Sequence, residues 1–156
     1  MLLLDSTEQQ MQSKGIYLPS PNLPLNGYVS VKQVGNLLYT AGQDCRVNGE
    51  LQYKGKLGKD LTIEEGKHAA EIVMLNLLAA IKLHTGNLDE IKQVVKLLAF
   101  VNSTATFADQ PLVIDGASAL LIKSLGERGE HARSAVSANS LPYHTPIEIE
   151  MIVELK

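Results

Sequence analysis

Tryptophan is absent from this 156-residue chain, phenylalanine occurs twice, and aromatic residues make up only 4% of it. A core must therefore be filled mainly by Val, Ile, Leu and Ala, which the 45% hydrophobic fraction supplies. Cysteine occurs once, at Cys45, which excludes an intrachain disulfide, and no Cys/His spacing suggests a metal site. Positive charge is sparse: Arg46, Arg128 and Arg133 are the only arginines, the lysines are scattered, and the formal net charge is −3. Phosphate binding runs on basic surface, so no nucleic-acid partner is expected. No apolar run approaches the ~18 residues that span a bilayer. The start Met1-Leu2-Leu3-Leu4-Asp5 turns acidic too soon for a signal peptide. A cytoplasmic protein with no membrane partner, folded as one domain over 1–156, is the expectation.

What is present has a clear order. Ser6 followed by Thr7-Glu8 and closed by Lys14-Gly15 predicts a short helix, and Pro19, Pro21 and Pro24 then forbid regular structure to about Gly27. The segment 1–26 therefore reads as an extension to a core over 27–156. Gly35-Asn36 and Asn48-Gly49 each sit between apolar segments and predict two hairpins. Thr62-Ile63-Glu64-Glu65 is a capping box that opens a long helix, stopped by Thr85-Gly86-Asn87 near His84. Ile72 to Ile81 is apolar almost all round except at Asn76, more than one packed face needs, which predicts a subunit contact there.

A strand is expected over Val94–Asn102 with Val95, Leu97, Ala99 and Val101 on one face, and a second helix from Pro111 to about Leu125. Two final strands follow, near Arg133–Ser140 and Ile147–Leu155. Strands segregated from a pair of helices predict an α+β sheet with two helices packed on one face. No element is left for the other face, so a second copy of the chain is its natural cover.

The last strand alternates Ile147, Ile149, Met151, Val153 and Leu155 against Glu148, Glu150, Ile152 and Glu154. That is the pattern of a solvated outer face, or of a strand that puts one carboxylate into a cleft. Arg133 opens the preceding strand, and a guanidinium is the side chain best suited to grip a carboxylate with two parallel hydrogen bonds. His131 beside it reads more readily as a surface group, and Cys45 as a buried or inert thiol. If the last two strands form a hairpin about Tyr143-His144, Arg133 faces residues near Glu154 and stands on the order of 20 Å from Glu148. A site using both would then need two copies of the chain.

Ala132-Arg133-Ser134-Ala135-Val136, then Leu141-Pro142, then Ile147-Glu148-Ile149-Glu150 resembles the C-terminal signature of the Rid (YjgF) family. Gly27-Tyr28 and Gly35-Asn36-Leu37-Leu38-Tyr39-Thr40-Ala41-Gly42-Gln43 resemble its N-terminal hairpin and turn. The resemblance covers the chain from about Gly27 onward and looks like a longer branch of the family. It implies a chorismate-mutase-like (Bacillus type) mixed sheet that assembles as a trimeric barrel. It further implies hydrolysis of enamines and 2-imino acids to 2-oxo acids and ammonia, in the manner of a 2-iminobutanoate/2-iminopropanoate deaminase, with no cofactor. Under it Arg133 binds the substrate carboxylate, Glu148 orients or activates water, and Tyr28 lines the pocket. Asp115 falls near a family asparagine, while Ala41 and Ala135 stand where the family has a serine and frequently a cysteine. Two alternatives stay open: an endoribonuclease or translation inhibitor, a role also attached to this family, and a non-catalytic trimer that holds small carboxylates.

Overall fold

A computed structural model describes residues 4–156. Met1 to Leu3, part of the start expected not to be a signal peptide, lie outside the described residues. Ser6 caps helix α1 (Thr7–Ser13) in a reciprocal box with Gln9. The Pro-rich stretch leads without regular structure into the hairpin β1 (Val31–Val34) and β2 (Leu37–Thr40), and the Asn48-Gly49 turn joins the short β3 (Arg46–Val47) and β4 (Glu50–Leu51). Both turn residues have positive φ, 50° and 85°, as a tight primed turn requires. Helix α2 (Ile63–Thr85) starts at the Thr62/Glu65 capping box and ends on Gly86; such a cap contributes about 1 kcal/mol. Strand β5 (Ile91–Asn102), helix α3 (Gln110–Leu125), strand β6 (Ala132–Ala138) and strand β7 (Ile147–Leu155) complete the order. No helix among the described residues is long and apolar enough to cross a membrane.

The main sheet runs β1-β2-β7-β5-β6, with β5 and β6 parallel and the other neighbours antiparallel. This mixed α+β sheet is the architecture expected, but the last two strands do not form a hairpin. Helix α3 carries the chain back so that β6 lies parallel to β5, and β7 takes the other edge of β5. Tyr143 and His144 do adopt the positive φ of a hairpin turn, 58° and 61°. They serve instead in a tight turn that crosses the end of β5, where His144 N–H donates to Leu141 O and Thr145 N–H to Pro142 O.

Two further expectations change. Val94, not Val95, faces inward: Val94 is buried and Val95 is 38% exposed. The register against β7 slips between Val94 and Lys96, and the extra residue of this irregularity shifts the alternation by one. Helix α2 keeps little apolar surface for a partner. Val73, Met74 and Leu77 to Ile81 are all buried within the chain, and Asn76 with them. Helix α3 supplies much of that cover, and Gly116 lets it approach: a Cβ there would overlap the carbonyl of Lys67 on α2.

The helices cover the sheet face built from Leu97, Ala99, Val101, Ile149, Met151 and Val153, each at most 2% exposed. Each of these side chains except Ala99 stabilises the fold by roughly 1.5–3 kcal/mol on full burial. The opposite face carries Glu148, Glu150, Lys96 and Leu98, together with Tyr39 and Val136, both 43% exposed.

Candidate active site

Glu148 is the second residue of β7 and points to the face away from the helices, since Ile147 and Ile149 on either side are fully buried. The turn after β2 closes over it. Gln43 and Ile149 exchange backbone hydrogen bonds of 3.0 and 3.2 Å, which fixes Gly42 directly against the Glu148 side chain. A Cβ on Gly42 would overlap Glu148 Oε1. Gly42 is not among the positive-φ glycines, so its lack of a side chain provides space, not a backbone conformation. The Glu148 carboxylate is half-buried and has no hydrogen-bond partner among the described residues. Its pKa is raised, first by burial and then by the negative charges of Asp44 and Glu150.

Gly42 also borders an open groove of about 650 Å³, whose walls include Tyr28, Asp44, Arg46, Tyr143 and the strap Ser20–Asn26. Tyr28 follows the positive-φ Gly27 and is 62% exposed into this region. Arg46 is gripped by Asp44 at 3.1 Å and donates to Gly49 O at 3.2 Å. Its guanidinium lies 5.1 Å from the centre of the Tyr143 ring. Asn76 holds this loop from below: its amide, buried in α2, donates to the carbonyls of Asp44 and Arg46 at 2.9 and 2.8 Å. Ala41, whose N–H donates to Ser30 O, adds no polar atom beyond its backbone.

Arg133 stands elsewhere. It pairs in register with the buried Leu97, so its side chain leaves the sheet on the helix side and meets α3. Nη1 donates to Asp115 Oδ1 at 2.9 Å and to Ser118 Oγ at 3.1 Å, and Nη2 to Pro111 O at 3.4 Å. Nε–H and one N–H of Nη2 remain without a partner among the described residues, enough for one bidentate carboxylate. His131 braces the far side of this network. Its Nδ1 faces the carbonyl of Gly129 and donates to it, and its Nε2 lies 2.9 Å from Ser118 Oγ. Ala135, two residues along, shares the Arg133 face and packs on the core.

The structure thus brings Arg133, Asp115 and Ala135 together, and separately gathers Glu148, Tyr28 and Ala41. It does not join the two groups in one chain. Phe100 pairs with Glu148 on one side and Val136 on the other, so Glu148 and Val136 share a face two strands apart. Arg133 lies three residues back from Val136, an odd step that turns it to the opposite face. The hairpin expected to hold the two apart does not form; instead β5 lies between their strands, and the two side chains leave on opposite faces.

A family model described as "YjgF/chorismate_mutase-like, putative endoribonuclease" matches residues 8–155. The chain belongs to the YjgF family. Protein TCP17 of Trypanosoma cruzi is 38% identical over 146 residues, 93% of this chain and 91% of that one. A crystal structure of an Agrobacterium tumefaciens protein of unknown function is 39% identical with a TM-score of 0.88, covering 97% of this chain and 92% of its own. A Shewanella oneidensis structure described as a "putative endoribonuclease" is 32% identical with a TM-score of 0.92, covering 97% and 100%. The YjgF match includes most of α1 and all of the Pro-rich strap, so the extension belongs to the similarity and is not an addition to it. Gly42, Asp44 and Ser118 are the site neighbours that sequence reasoning passed over, and His131, expected at the surface, instead meets Ser118 beside Arg133. Only Gly42 had a signal, as the middle residue of the Ala41-Gly42-Gln43 turn.

Proposed function

We propose that this YjgF protein hydrolyses reactive enamines and 2-imino acids to 2-oxo acids and ammonia, in clefts formed between copies of the chain in a trimer. The observation that carries the reading is Glu148: a half-buried carboxylate without a hydrogen-bond partner among the described residues, its pKa raised, beside an open groove. Such a group can take a proton from water and return it to a leaving amine. Imines already hydrolyse in water, so the protein need only hold the carboxylate end and place one water. Arg133 supplies the hold through its free Nε/Nη2 donors, and Tyr28 lines the approach. Ala41 and Ala135 leave the cleft less polar, which suits substrates larger than the smallest imino acids. Because Arg133 and Glu148 leave one chain on opposite faces, the site closes only when one copy's Arg133 meets another copy's Glu148.

The description of the family as a "putative endoribonuclease" favours a second reading, cleavage of RNA. The negative surroundings of Glu148, with Asp44 and Glu150 both acting on it, oppose a phosphate backbone there. The deciding experiment follows freshly generated 2-iminobutanoate and 2-iminopropanoate with wild-type and Glu148→Gln protein, alongside an RNA-cleavage assay at two salt concentrations. Imine decay lost in the variant supports the proposal. RNA cleavage without accelerated imine decay overturns it.

A further inference from the structure

We infer that the groove beside Glu148 takes substrates with a second carboxylate, held by Arg46 at the end remote from the reacting carbon. The inference rests on the imine-hydrolysis reading and names its substrate class.

The groove, about 650 Å³, falls in the ~300–1,000 Å³ range that suits ligands well beyond a three- or four-carbon acid. That leaves room for a longer substrate beyond the reacting carbon, and the walls indicate its chemistry. Among the described residues, Arg46 is the only arginine or lysine that lines it. Of its five N–H groups, Nε and one of Nη2 go to Asp44, and one of Nη1 goes to Gly49 O. One N–H on each terminal nitrogen is left without a partner among the described residues. Asp44 and the Tyr143 ring hold the guanidinium in place, so little rotamer freedom remains to be lost when an anion arrives.

The loop under Arg46 is built with unusual care. Asn76 buries its amide in an otherwise apolar helix face to bind the carbonyls of Asp44 and Arg46, and its own Oδ1 finds no partner among the described residues. A buried unsatisfied acceptor costs stability, so an apolar residue would serve the core of α2 better. The arrangement is explained if the position of Arg46 matters. Asp44 lowers the net attraction for an anion. It also makes Arg46 a directional donor in place of a diffuse positive patch, which favours a terminal carboxylate over a polyanion.

The test compares two six-carbon 2-oxo acids that differ only at the far end, 2-oxoadipate and 2-oxohexanoate, by calorimetric titration of the assembled protein. The expected result is at least about tenfold tighter binding of the diacid, the effect of one charge-assisted pair. Arg46→Gln brings the affinity ratio close to one, while Arg46→Lys, which keeps the charge, retains part of the preference. Binding of 2-oxohexanoate by each variant reports that its site is folded. Equal wild-type affinities, or an unchanged ratio in Arg46→Gln, overturn the inference and leave the imine reading standing if imine decay still depends on Glu148. Failure to bind either acid, with no accelerated imine decay, overturns both.

Discussion

Gly42→Ala separates the role of a space from the role of a fold. Gly42 adopts no positive φ, so alanine meets no backbone penalty. The added methyl would overlap the outer atoms of Glu148, Oε1 first and then Cδ and Cγ, and no backbone atom is among its nearest neighbours. A flexible side chain can move aside for an off-rotamer cost of about 0.5–1.5 kcal/mol, so the melting temperature should fall only slightly. The carboxylate itself must shift by about an ångström or more, and a displacement of that size costs on the order of 100-fold in rate. Imine decay measured at saturating substrate should therefore drop by roughly two orders of magnitude while 2-oxo acid affinity, carried by Arg133, changes little. A Gly42→Ala protein with the wild-type rate would refute the placement of Glu148 as the proton carrier. One that unfolds would refute the claim that only side-chain atoms of Glu148 oppose the methyl.

Glu148→Gln should raise stability at neutral pH, because the folded pKa of Glu148 lies above its ordinary value of 4.5 and ionisation is disfavoured in the native state. The folded state binds the extra proton, so the wild-type deficit is absent below 4.5 and develops as pH rises through the raised value; chemical denaturation at pH 4 and pH 7.5 checks the sign. The rate of imine hydrolysis should rise with pH through that same raised pKa in wild type and show no such step in Glu148→Gln. Asp115→Asn removes a negative charge about 6 Å from a carboxylate on Arg133, worth roughly 0.7 kcal/mol in water, so 2-oxobutanoate should bind about threefold tighter by titration. Gly116→Ala drives a methyl into the Lys67 carbonyl, which backbone alone can relieve, and should cost about 1–3 kcal/mol in denaturant titration.

Local signals in the sequence translated well. Asn48-Gly49, the Thr62/Glu65 box, and the Gly86 stop each depend on residues within a turn of one another, and each was found where expected. The errors lie where distant segments decide. Tyr143-His144 has hairpin-like torsions, yet β5 had already claimed both neighbours, and only long-range pairing reveals that. Val94 and Val95 exchanged places because a register slip is invisible to strict alternation. The apolar girth of α2 predicts a subunit face, but α3 lies so close at Gly116 that one chain absorbs most of it. Among the candidate site residues, motif resemblance singles out Arg133 and Glu148. Ser118 carries no pattern of its own, and its contact with His131 depends on the turn after α3 that folds the two together.

In the proposed site Arg133 and Glu148 act together only across two copies of the chain. Arg133→Ala and Glu148→Gln proteins, each inactive alone, can be unfolded, mixed in equal amounts, and refolded, with mass measurement to confirm mixed assemblies. Random mixing pairs an intact Arg133 with an intact Glu148 at about a quarter of the interfaces, so imine hydrolysis should return to about a quarter of the wild-type rate. Mixed assemblies that form and stay inactive would contradict the account.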